Sequence, residues 1–381
     1  MNRLLRPRLA LAGAASAALL GCSALLGIGD LPPSVATADG GDAASAASDG
    51  GDGASLDGAS SGTPIAQNQS APVALTVDAN NVYWVNAGNH TVVYCPKAGC
   101  TGAPRMVTSF ATDDDNTNPV RYGMTVDSAN VYWFASAGHG SSEVVMQCAI
   151  AGCNNAPTRL FGAKNIAAIG VGPQSVFVAA TDSAADAGVA GPGVSTCTIG
   201  GCSEKATLFA NEPKIQSLIV ADGRVYWTAA DPAVQKDLMV CPLTGCTGSP
   251  DVLLSGPFFL APGIAVKNDK AYMLYVSGAL ELSLVSCSVG GCASAPTPLA
   301  TGIQGGVMPI PIGADTKDVF FTTYKNEGTV TRASLSACGV GGCGNQPRSV
   351  LPPQVDGFVV DDTGIYWFDT KAGTISKLAS Q

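Results

Sequence analysis

Histidine and charged residues are scarce in this sequence. Only His90 and His139 occur, and charged residues make up 13% of the 381 positions. General acid–base catalysis and metal binding both depend on such side chains. No His-Glu-x-x-His motif, the pattern of many zinc peptidases, is present. The composition therefore disfavours a densely equipped catalytic centre and predicts no cofactor and no bound metal.

Basic residues are also few. The chain has 20 Lys and Arg against 29 Asp and Glu, which gives a net charge of −9. It has no basic stripe interleaved with aromatic residues, the pattern that a phosphate backbone attracts. Nucleic acid and anionic lipid headgroups are therefore disfavoured as partners.

Long apolar runs are absent except for one near the N-terminus. Residues 9–20 are apolar and follow Arg3, Arg6 and Arg8. This run is too short to span a bilayer as a permanent helix, and its basic flank is typical of a secretion signal. We therefore expect residues 1–21 to be a signal peptide.

The signal ends in Leu19-Leu20-Gly21-Cys22, which resembles the lipobox of bacterial lipoproteins. The resemblance implies cleavage before Cys22, acylation of this cysteine with palmitate-type chains, and membrane attachment through those chains. Ser23 follows, where Asp would favour retention at the inner membrane. The expected location is therefore the cell envelope, with the chain anchored in the outer membrane and facing either the periplasm or the surface.

Residues 22–61 are rich in Ala, Gly, Ser and Asp and contain no aromatic side chain. Such a segment buries too little apolar surface to offset its ordering entropy. Its aspartates do not follow the spacing of a calcium-binding EF-hand loop. We expect a disordered tether here and a folded domain over residues 62–381.

Glycine and proline are abundant, at 46 and 24 residues, which favours many turns and an all-β fold. Six Cys-x4-Cys pairs recur at intervals of 44 to 53 residues. Seven short aromatic strands recur in the same rhythm, and they start at Val82, Val131, Val176, Val225, Ala271, Val319 and Ile365. Four short strands in a repeat of this length are typical of a β-propeller blade. The sequence predicts a seven-bladed propeller, with six blades as the alternative.

The seventh repeat reaches Gln381 without a fourth strand. Pro64 stands in the same context as Pro104, which opens the fourth strand of the first repeat. Proline is tolerated at the start of an edge strand. We therefore expect the segment around Pro64 to complete the last blade.

Tyr83-Trp84, Tyr132-Trp133, Tyr226-Trp227 and Tyr366-Trp367 resemble the signature of propellers built from Tyr-Trp-Thr-Asp repeats. With the lipobox and the paired cysteines, the whole chain resembles bacterial lipoproteins that carry propeller repeats. This resemblance implies a fold class and a location and leaves the activity open.

Each cysteine pair flanks a tight turn in an exported protein, where disulfides form and persist. Metal binding would need four converging ligands, and redox catalysis favours Cys-x-x-Cys. We therefore predict six disulfide hairpins: Cys95-Cys100, Cys148-Cys153, Cys197-Cys202, Cys241-Cys246, Cys287-Cys292 and Cys338-Cys343.

The candidate site residues fall in loops of one predicted face. His90 and His139 occupy the loops after two aromatic strands, and Asp113, Asp114 and Asp115 lie between the first two repeats, shortly before Arg121. The histidines are candidate catalytic groups, and the aspartates and Arg121 are candidate ligand-binding groups. The other interpretation is that these are polar loop tips and ordinary blade residues.

Two functions remain open at this point. The first is a monomeric, non-enzymatic envelope module that binds a protein or a glycan. The second is a lyase or hydrolase that uses His90, His139 and the three aspartates, by analogy with propeller lactonases and streptogramin lyases. The scarcity of acid–base residues favours binding.

Overall fold

A computed structural model describes residues 62–111, 121–136, 142–182, 192–203, 205–229, 236–255, 259–260, 263–276, 281–292, 295–303, 311–327, 330–351 and 354–380. The predicted signal peptide, Cys22 and the predicted tether lie outside this range. Within these residues no helix is long and apolar enough to cross a membrane.

The described elements are twenty-eight strands and one short helical turn. In chain order they are β1 (Thr63–Ala66), β2 (Pro72–Val77), β3 (Asn81–Asn86), the 3-10 turn Ala87–Asn89, β4 (Thr91–Pro96), β5 (Arg105–Ser109), β6 (Arg121–Val126), β7 (Asn130–Ser136), β8 (Ser142–Ala149), β9 (Thr158–Val171), β10 (Ser175–Asp182), β11 (Gly193–Thr198), β12 (Thr207–Asn211), β13 (Ile215–Ala221), β14 (Arg224–Ala229), β15 (Lys236–Pro242), β16 (Asp251–Ser255), β17 (Phe259–Leu260), β18 (Ala265–Lys267), β19 (Lys270–Val276), β20 (Leu282–Ser288), β21 (Thr297–Ile303), β22 (Ile312–Ala314), β23 (Asp318–Glu327), β24 (Val330–Gly339), β25 (Arg348–Leu351), β26 (Gly357–Asp361), β27 (Gly364–Asp369) and β28 (Thr374–Ala379).

These strands form antiparallel sheets arranged as a propeller. The inner strands follow one another around the ring in the order β2, β6, β9, β13, β18, β22 and β26, and β26 returns to β2. Each inner strand pairs with the next strand in the chain, which is one of the aromatic strands. The chain therefore encloses a central channel.

The prediction of seven separate blades is wrong, and so is the alternative of six. The described strands form five separate blade sheets of four or five strands and one continuous sheet of seven strands, β6 to β12. This wide sheet, a half-barrel, takes the place of separate blades for the second and third repeats.

The long strand β9 causes this fusion. Its first half pairs with β8 and its second half with β10. No proline interrupts it, and only Asn165 inside it has a positive φ, of 53°. Glu143 on β8 accepts the N–H of Ile166 at this bend. The outer strand of one repeat therefore continues directly into the inner strand of the next.

The two ends of the described chain meet in the closing blade, which consists of β26, β27, β28 and β1. β1 pairs antiparallel with β28, with Thr63 opposite Lys377 and Pro64 opposite Ser376. The pairing predicted from Pro64 is therefore present. Because strands distant in sequence share this sheet, it holds the ring shut.

The apolar core lies between neighbouring sheets. The aromatic strand next to each inner strand is called its second strand. Trp84, Trp133 and Trp227 lie on the second strands β3, β7 and β14 and are fully buried. Trp84 packs in one cluster with Tyr366 and Ile375 of the closing blade. Blades covered on both faces need near-continuous apolar strands, which explains why the aromatic strands show little polar alternation.

The tight turns of the first two repeats share one hydrogen-bond geometry, in which an aspartate binds the tyrosine of the following aromatic strand. Asp78 Oδ1 accepts hydrogen bonds from the backbone N–H groups of Asn80 and Asn81, each at 2.7 Å. Asp78 Oδ2 accepts a hydrogen bond from the Tyr83 hydroxyl at 2.6 Å. Burial and this hydrogen bond raise the pKa of Tyr83, so its hydroxyl remains a donor. Asp127 and Tyr132 form the same pair at 2.7 Å.

All six predicted disulfides are confirmed, with Cα–Cα distances of 5.1 to 5.5 Å. The hairpins also contact the preceding blade, which sequence reasoning missed. The N–H of Cys292 donates to the carbonyl of Leu253 at 2.9 Å, and that of Cys343 to Leu299 at 3.1 Å. Leu253 and Leu299 belong to outer strands, so these hairpins bridge neighbouring blades.

Candidate functional site

Most of the candidate residues predicted from sequence lie outside the described range. This applies to His139, Asp113, Asp114 and Asp115. Arg121 is the first residue of β6, and its backbone pairs with that of Ser136. The predicted convergence of the two histidines with the acidic loop therefore stays a prediction.

His90 is described, and it belongs to the packing between the first two repeats. It follows the 3-10 turn with a left-handed φ of 51°. Its carbonyl accepts the N–H of Phe110 at 3.0 Å, and the two ring centroids are 6.0 Å apart. Phe110 in turn lies 5.7 Å from the Trp133 ring. These contacts give His90 a structural role.

A cavity of about 370 Å³ occupies the central channel. Its described walls come from inner strands β2, β6, β9 and β26, from the residues just before β22 and β26, and from the second strands β7 and β27. Their aliphatic members are Val73, Ala74, Leu75, Met124, Ala167, Ala168, Ile169 and Pro311. A cavity of this size and lining is typical of sites for small organic ligands. We call it the channel cavity.

Four aromatic residues also line the channel cavity: Tyr122, Phe134, Phe358 and Phe368. Aromatic residues are only 6% of the sequence, so the cavity is strongly enriched in them. Phe134 and Phe368 come from second strands rather than inner strands. Their rings reach the cavity only because the inner strand leaves space.

Glycine supplies that space. Gly123 is the register partner of Phe134, and Gly357 is the partner of Phe368. A Cβ at Gly123 would lie 2.4 Å from the Phe134 ring, and one at Gly357 would lie 2.6 Å from the Phe368 ring. A glycine inside a strand is a known mark of close approach. That signal was readable in the sequence, but sequence reasoning missed it.

Polar groups in the channel cavity are few. Asp356 lies directly before β26, and its Oδ2 accepts the N–H of Thr370 at 2.7 Å. The Thr370 hydroxyl donates to the carbonyl of Pro72 at 2.8 Å, which ties this corner to the first blade. Among the described lining residues, Asp356 is the only charged one and none is a histidine.

A second polar cluster joins the first hairpin to the closing blade at the other end of the strands. Lys97 forms an ion pair with Asp361 and lies 5.5 Å from the centre of the Tyr366 ring. Burial raises the pKa of Asp361, but hydrogen bonds from Lys97 and Thr363 outweigh it and leave the pKa below its ordinary value. The polar groups of this cluster pair with one another. We therefore interpret it as a structural contact between the first hairpin and the closing blade.

No metal site is apparent among the residues that the structure describes. None of their His, Cys, Asp and Glu side chains form a group of three or more that could hold an ion. The disulfide sulfurs are in any case unavailable as thiolate ligands.

No family model and no curated protein matches this sequence. Solved structures do match. One is virginiamycin B lyase from Staphylococcus aureus, with a TM-score of 0.54 and 12% identity over 84% of this chain and 98% of that chain. Another is the β-propeller domain of the Trilobed protease from Pyrococcus furiosus, with a TM-score of 0.51 and 9% identity over 79% of this chain and 89% of that chain.

A third match comes from an analysis of two prolyl endopeptidases, with a TM-score of 0.52 and 12% identity. It covers 84% of this chain and 49% of that chain, so this chain spans about half the length of the peptidase. At such low identity the matches show the fold alone. They establish that this chain contains a β-propeller.

Proposed function

We propose that this chain is a lipid-anchored β-propeller of the cell envelope that acts as a binding module, with its ligand held at the channel cavity. One observation carries the proposal. The cavity has apolar and aromatic walls and, among its described lining residues, a single carboxylate. Such a site can hold a ligand, and its described lining offers no acid–base pair to transform it.

The envelope location is supported by the disulfides. Six disulfide bonds in one chain are typical of an oxidising compartment outside the cytoplasm. The lipobox at Cys22 then supplies the anchor, and residues 22–61 supply the tether to the propeller. The partner predicted from sequence was an envelope protein or a glycan.

The lyase or hydrolase alternative rests on residues that the channel cavity does not use. His90 does not line the cavity and packs against Phe110 instead. The similarity to virginiamycin B lyase concerns the fold and transfers no activity. Binding is therefore the better supported function.

Chemical cross-linking in the native cells tests this proposal. The tagged full-length protein is cross-linked and purified, and the captured molecules are identified. The test variant is Ala168→Phe, which places a ring in the cavity wall. Its matched control is Ala103→Phe, on an exposed hairpin residue. A Cys22→Ala variant tests dependence on the anchor.

We expect a specific partner with the wild type and with Ala103→Phe, and its loss with Ala168→Phe. Loss with Cys22→Ala would show that capture requires the anchor. Equal capture by Ala168→Phe and the wild type would show that the partner does not bind at the channel cavity.

A further inference from the structure

We propose that the channel cavity binds a small organic cation that carries an aromatic or alicyclic ring. This inference rests on the proposed function and names the ligand class for the same site. It depends on three properties of the described residues: the aromatic walls, the position of the one carboxylate, and the absence of a positive side chain among the lining residues.

Aromatic walls favour a ring with a positive charge. Tyr122, Phe134, Phe358 and Phe368 come from the second and the last repeats, and all four line this one cavity in the folded ring. The electron-rich faces of such side chains attract ammonium and guanidinium groups, and the attraction strengthens when water is excluded. Several aromatic residues around one space also provide the apolar contact area that a ring-shaped ligand needs.

Two glycines in the inner strands, Gly123 and Gly357, leave room for the aromatic rings of these walls. At Gly123 and Gly357 any Cβ would collide with the phenyl ring of the facing strand. Gly123 and Gly357 both have β-region backbones, and neither is among the glycines with positive φ. Conformational freedom therefore does not explain these glycines. The space that they leave lets Phe134 and Phe368 reach the cavity.

The single carboxylate sets the sign of the ligand charge. The hydrogen bond from Thr370 N–H holds Asp356 through Oδ2. Oδ1 accepts no hydrogen bond from the described residues and is left to meet a ligand. Asp356 is itself exposed, and it lines the cavity.

Positive side chains are absent from the described lining of the channel cavity. No Lys, Arg or His occurs among the described residues of the channel cavity. The whole chain carries a net charge of −9, so its field favours the approach of cations. An anionic ligand would find no positive partner among the described lining residues and would be repelled by Asp356.

Size limits the ligand to a small molecule. The cavity holds about 370 Å³, at the lower end of the usual range for organic ligands. One bicyclic ring with a short amine side chain fits this volume. A folded protein does not, so capture of a protein alone would be a different use of the surface.

Three probes with the same indole ring and different charges test the inference: tryptamine (cationic), tryptophol (neutral) and indole-3-propionate (anionic). Binding is measured by isothermal titration calorimetry and equilibrium dialysis at neutral pH. The sample is the full chain with Cys22→Ala, which removes the acylation site and so avoids detergent that would compete for an apolar cavity.

We expect saturable binding of tryptamine at one site, about tenfold tighter than that of tryptophol, and no binding of indole-3-propionate. Asp356→Asn should weaken tryptamine binding about tenfold and leave tryptophol unchanged, because the amide oxygen still accepts the Thr370 N–H. The matched control is Asp251→Asn, an exposed carboxylate on outer strand β16, which should leave all three unchanged. Thermal unfolding checks that each variant remains folded.

Equal affinity for the three probes, or no effect of Asp356→Asn on tryptamine, would overturn the assignment of a cation while leaving the channel cavity as a binding site. If no probe binds the wild type, the inference is also overturned. The proposed function is then judged separately by the cross-linking experiment, which does not depend on these probes.

Discussion

Lys97 in the first disulfide hairpin forms an ion pair with Asp361, the last residue of β26, 264 positions later in the chain. The Lys97 side chain is 9% exposed and that of Asp361 is 26% exposed. Both residues lie at the seam where the first blade meets the closing blade. The pair therefore joins the first blade to the closing blade, whose own sheet is completed by the pairing of β1 with β28.

Replacing Lys97 by Met should reduce the free energy of unfolding by about 1–3 kcal/mol, because Asp361 is left partly buried without its cation. The measurement is urea denaturation at pH 7. Lys267→Met is the control: Lys267 pairs with Asp362 at 2.8 Å on the exposed surface and should cost less than about 1 kcal/mol. Equal losses in the two variants would contradict a special role for the seam.

The same pair makes stability depend on acid. The pKa of folded Asp361 lies below its ordinary value of 3.8. Its contribution is therefore fully present above about pH 4 and is lost as the pH falls through the folded pKa. Unfolding free energies between pH 5 and pH 2 should fall more steeply for the wild type than for Lys97→Met. Parallel curves would show that Asp361 does not titrate against Lys97.

Tyr83→Phe should destabilise the protein by about 1–2 kcal/mol, because Asp78 loses the hydroxyl that it accepts at 2.6 Å. Tyr226 offers a matched control. Its hydroxyl is buried and has no hydrogen-bond partner among the described residues. Tyr226→Phe should therefore be neutral or slightly stabilising. Chemical denaturation of both variants, compared side by side, decides whether the turn bond or the ring accounts for the repeated tyrosine.

Replacing Cys287 and Cys292 together by Ser should cost about 2 kcal/mol, the chain-entropy value for a short loop. The structure adds a second effect, because the N–H of Cys292 donates to Leu253 in the preceding blade. Native-state hydrogen exchange should show faster exchange of the residue 292 amide in the double variant. Unchanged exchange would mean that the hairpin docks without its disulfide.

Gly357→Ala should destabilise the protein by about 1–3 kcal/mol, because the new Cβ displaces the Phe368 ring. The control is Gly102→Ala, where nothing lies within 4 Å of an added Cβ and φ is not positive. Thermal unfolding gives the stability of each variant. If the two variants are equally stable, the contact between Gly357 and the Phe368 ring tolerates an added methyl group, and the prediction is wrong.

The histidine hypothesis has its own test. If the protein is a lyase or hydrolase, His90→Ala and His139→Ala should each abolish turnover and leave the melting temperature unchanged. For a binding module, His90→Ala should instead lower the melting temperature slightly through lost contact with Phe110. Unaltered turnover in both variants would remove the histidines from any catalytic role.

Local chemistry made much of the fold readable from the sequence. Paired cysteines five positions apart around a tight turn predicted the disulfides, since such spacing places both Cα atoms at bridging distance. The recurrence of aromatic strands predicted a propeller, because the strand period and the repeat length are written along the chain. Pro64 located the closing strand for a similar reason, since its edge-strand preference is a property of one residue.

The blade count and the channel cavity were decided by tertiary structure. Whether two repeats form separate blades depends on how the strand between them pairs on both sides, and β9 continues through Asn165 without separating them. The channel cavity brings together Tyr122 and Phe368, which are far apart in the chain. Sequence alone determined what each repeat can form, because strands, turns and disulfides are local. Only the closed ring determined which side chains face one another across the channel, because that depends on the register and curvature of the whole sheet system.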